Sequence, residues 1–283
     1  MKTLKKFLKW TGIAVLLIGI IVGVLYMVYL RPIMSKMQET STIQMDSQLT
    51  LVIGGGGNSA IFNSSDKVVV IDTKMDAAAK NFHDKVIQMA GNKPITIINT
   101  HLHPDHTGGN ELYKGATIIA GGNYTQDEWE KDAAKNSMPT VWLKDKQDIY
   151  LDNDTLSIFN LPYTAHTISD VMVYDHHRKI LFVGDIILNK QAPVLMGKAD
   201  VNGYMQAFEY VTGHFDIETI VPGHGKMSDK TLVNTFRQYF IDMKMASKYP
   251  ADKKMLVAKY SDWMQIPIFM SPGATIEYFE KHP

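Results

Sequence analysis

Apolar positions repeat with two different periods along the first half of the chain. Short apolar or alternating runs separated by glycine-rich or polar turns predict three strands, at Gln48–Ile53, Ala60–Phe62 and Lys67–Ile71. Between Ala77 and Ala90, Phe82, Val86 and Met89 recur at helical spacing, and Gly91 follows where a helix C-cap is expected. The β-branched run Pro94–Asn99 then predicts another strand.

The same alternation continues through the second half of the chain. Further strands are predicted near Ile149, Leu156, Val171, Ile180 and Ile220. Further helices are predicted at Gln126–Lys135, Tyr204–Val211, Lys230–Met245 and Thr275–Lys281. Strands and hairpins interleaved with helices predict sheets covered by helices, which is an α/β layered domain.

The N-terminus carries a different pattern. Trp10–Leu30 is an uncharged apolar run of 21 residues, and a helix of that length spans roughly the 30 Å hydrocarbon core of a bilayer. Four lysines precede the run and only Arg31 and Lys36 follow it closely, so the positive-inside rule places the N-terminus in the cytoplasm. Tyr29–Pro32 offers no small-residue cleavage site, which favours an uncleaved signal anchor. We therefore expect a single-pass protein of a bacterial cell membrane, in contact with lipid through residues 10–30, with its domain outside the cytoplasm.

Three segments follow from these patterns. Residues 1–31 form a cytoplasmic stub and transmembrane anchor, residues 32–47 a polar, methionine-rich linker, and residues 48–283 one folded domain. The anchor contains a G-x-x-x-G pair, Gly19 and Gly23, but glycine is common in membrane helices, so a plain anchor is favoured over a helix pair.

Composition narrows the chemistry. The 29 basic and 29 acidic residues give no net charge, which argues against nucleic acid and favours a small-molecule substrate. There is no cysteine, which excludes disulfides, thiolate-held zinc and cysteine nucleophiles. Nitrogen and oxygen atoms must therefore hold any transition metal.

The candidate chemistry lies in Thr100–Gly109, directly after the predicted strand Pro94–Asn99. In extended chain, residues two apart point the same way, so His101 and His103 can present two imidazoles to one ion. Pro104 turns the chain, and Asp105 and His106 can then serve a second ion nearby. Four ligand-type residues within six positions argue against chance.

Three later segments add single ligands at strand ends. His166 follows the strand at Leu156, Asp185 follows the strand at Ile180, and His224 lies between glycines after the strand at Ile220. Strand ends that each carry one ligand are how α/β folds gather distant residues around one crevice.

H-x-H-x-D-H followed by separate His, Gly-Asp and Gly-His-Gly segments resembles the metallo-β-lactamase superfamily, in its glyoxalase II and SoxH-like branch. The resemblance covers nearly all of residues 48–230 and implies a four-layer αββα sandwich behind the N-terminal transmembrane helix. It implies that one metal is held by His101, His103 and His166 and the other by Asp105, His106 and His224, with Asp185 bridging both.

The ligand set suits two Zn²⁺ ions, with iron or manganese as further candidates. Two such ions would ionise a shared water to a bridging hydroxide and polarise the scissile bond, while Asp105 orients the hydroxide. The expected reaction is hydrolysis of an ester, thioester, lactone or amide bond of a small molecule.

Other reactions stay open on the sequence. β-Lactam hydrolysis is less favoured, since true β-lactamases generally lack an acid that bridges both metals. An iron-dependent persulfide dioxygenase uses a similar motif around one iron, but the retained His106, His166 and His224 favour two metals. A non-catalytic sensor would predict lost ligands.

Substrate contacts are less well marked than the ligands. Asn189, Lys190 and Met196 are candidates to line the cleft. The segment Tyr260–Met270, with Trp263, either caps the site or packs on the sandwich.

Overall fold

The computed structural model describes residues 2–31, 35 and 38–282. The chain divides into two compact units, Met1–Glu39 and Thr40–Pro283. Residues 32–34, 36 and 37 of the predicted linker, including Lys36, lie outside the described residues, as does Pro283.

The first unit contains one long helix. α1 spans Lys2–Leu25 and continues as a wider π-helical turn over Tyr26–Leu30. Its segment Trp10–Tyr29 has a mean hydropathy of 2.6, and none of the residues whose burial is described there is buried. By length and composition this helix is a candidate membrane span, and a secretory signal near an N-terminus has the same properties.

The second unit contains two sheets. The first sheet has seven strands, in the spatial order β1 (Thr40–Gln44), β2 (Leu49–Gly54), β3 (Ser59–Asn63), β4 (Val68–Ile71), β5 (Ile95–Ile98), β6 (Thr117–Gly121) and β7 (Val141–Leu143). The second has five strands, in the order β12 (Thr219–Val221), β11 (Ile180–Phe182), β10 (Val171–Asp175), β9 (Asp154–Asn160) and β8 (Lys146–Leu151).

Helices cover the outer faces of both sheets or connect their strands. They are α2 (Asp76–Ala90), the single turn α3 (Pro104–Thr107), α4 (Gln126–Asp132), α5 (Val201–His214), α6 (Thr231–Lys248), α7 (Lys253–Ala258) and α8 (Pro272–Lys281).

Alternate side chains of a strand face opposite sides of its sheet, and this alternation accounts for the layers of the domain. In β4, Val69 and Ile71 face the apolar core between the two sheets, whereas Val68 and Val70 face the helix α2. All four are buried, because a strand with a partner layer on each side reads as a continuous apolar run. On the outside of the second sheet, α5 and α6 bury an aromatic cluster of Tyr204, Phe208, Phe236 and Phe240.

The expected α/β sandwich of two sheets flanked by helices is confirmed, with local differences. Thr40–Gln44 pairs antiparallel with β2, so the folded unit begins within the segment expected to be a linker. Its pattern is polar because most of its side chains are exposed on an edge strand, which hides the strand from a search for apolar runs. The strands β6 and β7 and the helix α7 were also not predicted, and α4 ends at Asp132 rather than at Lys135.

An ion cluster joins the two sheets at the end away from the ligand loops. Arg178, in the turn between β10 and β11, bonds Asp154 at 2.7 Å and Asp175 at 2.9 Å through Nη1, and bonds Asp46 through Nε. Asp175 is fully buried and the side chain of Asp154 is 4% exposed, so both carboxylates depend on Arg178 for a countercharge.

Candidate metal centre

Loops that follow the strand ends carry all seven predicted ligands. His101 and His103 follow β5, and the turn α3 carries Asp105 and His106. The loop between β9 and β10 carries His166, and the ends of β11 and β12 lead into Asp185 and His224. The structure brings the seven side chains into one cluster.

One group within this cluster contains three histidines. His103 Nδ1 lies 3.0 Å from His101 Nε2 and 2.9 Å from His166 Nε2. Each of the three offers a nitrogen within 4.8 Å of the others, so the group has the spacing of a metal triad.

A second group contains two histidines and a carboxylate. His224 Nε2 lies 3.0 Å from Asp105 Oδ2 and 3.4 Å from His106 Nε2. These three atoms also lie within 4.8 Å of one another. The seven predicted ligands therefore divide into two neighbouring triads and Asp185.

Asp185 lies between the two triads. Its Oδ1 is 3.3 Å from His106 Nε2 and 3.4 Å from His224 Nε2, whereas its Oδ2 is 3.5 Å from His166 Nε2. Oδ1 is buried and has no hydrogen-bond partner among the described residues. A buried carboxylate oxygen without a donor is costly unless a cation compensates it.

Hydrogen bonds on the far side of the rings fix which nitrogen faces the cluster. The Thr100 hydroxyl donates to Asp72 Oδ2 at 2.7 Å, so it accepts from His101 Nδ1 at 3.1 Å. His106 Nδ1 donates to the same Asp72 oxygen at 2.7 Å. Each of these two rings therefore keeps an Nε2 lone pair directed at the cluster, as a metal ligand requires.

Tyr204 orients His166 in the same way. The Tyr204 hydroxyl lies 2.9 Å from His166 Nδ1, and His166 Nε2 faces His103 and Asp185. Tyr204 is fully buried on α5, so packing fixes its hydroxyl.

Burial and neighbouring charges shift the pKa values of these histidines in different directions. Burial lowers the pKa of His166 to about 3 and lowers the pKa values of His101 and His103, which keeps their rings neutral and able to bind metal. Burial also opposes protonation of His224, but the negative charge of Asp185 and the hydrogen bond that His224 donates to Asp105 raise its pKa to about 9. The carboxylates thus favour positive charge at the second triad, which a bound cation would supply in place of a proton.

Glycine is required where backbone approaches this cluster. A Cβ on Gly57 would lie 2.3 Å from His106 Cε1, and one on Gly223 would lie 1.9 Å from Asp185 Oδ1. Both distances are far below van der Waals contact, so any larger residue would displace a predicted ligand.

The residues that orient the ligands are not among those that the sequence patterns indicated. Asp72 directly follows β4, which is the same strand-end signal that identified Asp185 and His224. Tyr204 carried no such signal, because its role depends on tertiary contacts.

The candidate substrate contacts have mixed surroundings. Asn189 N donates to His224 O at 3.0 Å, which places Asn189 beside the second triad. Lys190 pairs with Asp262 at 2.7 Å, and Met196 is 60% exposed. Trp263 is buried and stacks on Tyr239 of α6, so it packs on the sandwich.

Comparison with known families agrees with this geometry. A family model described as the metallo-beta-lactamase superfamily matches residues 52–224, a range that contains both triads and Asp185. The chain belongs to the metallo-β-lactamase superfamily. Its homologues are hydrolases, and the expectation of a hydrolase of this superfamily is confirmed.

Individual relatives within the superfamily are distant. Metallo-beta-lactamase type 2 of Elizabethkingia meningoseptica is 27% identical over 203 residues, which are 70% of this chain and 78% of the relative. Acyl-coenzyme A thioesterase MBLAC2 of Homo sapiens is 23% identical over 209 residues, which are 60% of this chain and 74% of the relative. A metallo-beta-lactamase structure from Pontibacter korlensis aligns with a TM-score of 0.58 at 19% identity, over 69% of this chain and 96% of that one. That structural likeness concerns the fold.

Proposed function

We propose that this chain is a membrane-anchored hydrolase with two zinc ions, acting outside the cytoplasm on an ester, thioester, lactone or amide bond of a small molecule. His101, His103 and His166 would hold one ion, and Asp105, His106 and His224 the other. Asp185 would bridge the two. This is the ligand pattern of the glyoxalase II and SoxH-like branch.

The position of Asp185 carries the proposal. Its two carboxylate oxygens face different triads, and the oxygen nearest His106 and His224 is buried without a hydrogen-bond donor among the described residues. A single ion at either triad would leave the other group of ligands unused. The site offers five imidazole nitrogens and two carboxylates. These seven ligands are more than one zinc ion binds, and they suit two.

Two bound zinc ions would supply Lewis acidity and a nucleophilic water at neutral pH. The protein's own part is orientation. Asp72, Thr100 and Tyr204 hold three imidazoles with Nε2 inward, and Asp105 would orient the attacking water. The buried Asp185 lies between the two triads and would contact both ions.

The names of two relatives indicate which classes of substrate to consider for this chain. One carries the name of a β-lactamase and the other that of an acyl-coenzyme A thioesterase, and both reactions cleave an acyl bond. β-Lactam hydrolysis is the second candidate, supported by the 27% identity to the Elizabethkingia meningoseptica enzyme. An iron-dependent persulfide dioxygenase is disfavoured by the presence of both complete triads.

Metal content and turnover test the proposal together. We expect the full-length chain in detergent micelles to bind two zinc ions, measured by mass spectrometry of the metals. We also expect it to hydrolyse at least one member of a panel of β-lactams, lactones, thioesters and phosphodiesters. One iron per chain with oxygen uptake on a persulfide would contradict the proposal and identify the dioxygenase instead.

Topology has a separate test, because the chain contains no cysteine. We expect a cysteine placed at exposed Lys254 (Lys254→Cys) to react with a membrane-impermeant maleimide on intact cells. Four lysines before the span Trp10–Tyr29 support this orientation. Labelling only after the cells are lysed would place the domain in the cytoplasm.

A further inference from the structure

The segment of residues 54–58 (the glycine loop) runs from the last residue of β2 to the start of β3 and contains four consecutive glycines and Asn58. Gly54, Gly55 and Gly56 have positive φ angles of 82°, 70° and 93°. Glycine adopts these angles at little steric cost, but it also loses the most conformational freedom when it is ordered. A loop of this composition needs contacts from outside itself to keep one conformation.

The glycine loop contacts both segments that carry the second triad. Gly57 N donates to Asp105 O at 3.0 Å, and the Gly57 backbone lies against the His106 ring. On the other side, Asn58 N donates to Gly223 O at 2.7 Å. The Asn58 side-chain amide donates to the carbonyls of Pro222 and Gly225, which flank His224, both at 2.8 Å.

The first triad has different supports. Thr100 holds His101, Tyr204 holds His166, and both imidazoles lie within 3.0 Å of His103 Nδ1. Apart from the ladder between β1 and β2, the hydrogen bonds of the glycine loop with other segments in the described part of the chain go to Lys74, Asp105 and the turn around His224. The glycine loop thus joins the ligands of one triad only.

Lys74 holds this loop. Its side chain is fully buried, and Nζ donates to Val52 O at 2.9 Å, Gly54 O at 2.6 Å and Gly57 O at 2.8 Å. Three carbonyl acceptors match the three N–H groups of an ammonium. Burial lowers the pKa of Lys74 to about 7, while the negative charges of Asp72 and Asp105 favour the charged form.

Two costly features of this lysine point to a role at the site. A buried lysine is rare unless it is paired, and Lys74 itself has a positive φ of 64°, which a non-glycine residue seldom adopts. Both features are costly, and strained or desolvated groups of this kind cluster at functional sites. The carbonyls it satisfies include those of Gly54 and Gly57, at the two ends of the glycine tract.

We infer that Lys74 is a positioning residue for the second triad: it holds the glycine loop against Asp105, His106 and the turn around His224, and so sets the affinity for the second metal ion. The inference rests on the proposed two-metal centre. It assigns no contact between Lys74 and the metal or the substrate.

Stepwise zinc binding by the full-length chain in micelles, measured with a chromophoric chelator, tests this inference. Lys74→Met keeps the length of the side chain and removes its donors, and it should weaken the second binding step about 10–100-fold, the effect typical of residues that orient ligands. The first step should stay within about twofold of wild type, well below the 1.4 kcal/mol that corresponds to tenfold.

Three reference variants define the outcome. Lys93→Met removes a partly buried lysine that donates to Asn63 and to Ser64 O elsewhere on the first sheet, and both steps should match wild type. His224→Ala and His103→Ala mark the loss of a ligand from each triad. The profile of Lys74→Met should resemble that of His224→Ala.

If Lys74→Met does not fold, Asn58→Ala tests the same loop from its other side and should give the same selective loss. Equal weakening of both steps, or no change in either, would overturn the role of Lys74 while leaving the two-metal centre in place. A wild-type chain that binds one ion under all conditions would instead contradict the two-metal centre itself.

Discussion

Asp185→Asn is expected to lower kcat/KM for any hydrolysed substrate by about a thousandfold or more. Asparagine keeps the size of the side chain but removes the charge that lies between the two triads. Loss of charge stabilisation at a metal centre is worth several kcal/mol, and about 4 kcal/mol corresponds to a thousandfold. The measurement is steady-state hydrolysis together with metal content, because the variant should also bind fewer ions.

Matched variants separate this effect from general damage. His103→Ala should be as inactive as Asp185→Asn, since it removes a ligand from the first triad. His177→Ala removes an exposed histidine of the turn between β10 and β11 and should keep wild-type turnover. Unchanged turnover in Asp185→Asn would refute the bridging role even if the family assignment stands.

Arg178→Met is expected to lower the free energy of unfolding by about 3–5 kcal/mol, the usual cost of removing one partner from a buried ion pair. The substitution would leave Asp175 and Asp154 buried without their countercharge. Urea denaturation of the domain, followed by tryptophan fluorescence at pH 8, measures the change. The neighbouring Lys179→Met breaks only exposed pairs, with Asp216 and Glu218, and should cost at most about 1 kcal/mol.

The pH dependence of the Arg178→Met deficit has a defined sign. Burial raises the pKa of Asp175 to about 6 even with Arg178 present, and removal of Arg178 raises it further. The folded variant then binds more protons than the folded wild type, whereas the two unfolded chains bind the same number, so its stability relative to wild type falls as pH rises. The deficit should therefore be smaller at pH 5 than at pH 8, and a deficit that grows at pH 5 would contradict this account.

The sequence predicted the parts of this fold that repeat or that carry unusual residue types. The spacing of apolar residues alone predicts buried strands such as β4 and amphipathic helices such as α2, because each of these elements faces a defined apolar layer. The ligands were recognisable since histidine and aspartate rarely gather at strand ends without a reason. The edge strand β1 was not recognisable, because exposed side chains remove the apolar signal.

The supporting residues of the site were beyond the reach of sequence patterns for another reason. Asp72 and Tyr204 act on rings that are 34 and 38 positions away in sequence, and Lys74 acts through backbone carbonyls, which have no sequence signature. Such contacts depend on how β2, β4 and α5 pack, which periodicity does not specify.

The ligand loops come from both sheets, and this has a consequence for folding. His101 follows a strand of the first sheet and His224 a strand of the second, 123 positions later. An ion coordinated from both sides would be a crosslink between the two sheets that can form only after the sheets have docked. Metal would then stabilise the folded state by mass action, by about 2.7 kcal/mol at a hundred times Kd, and raise its melting temperature without nucleating folding.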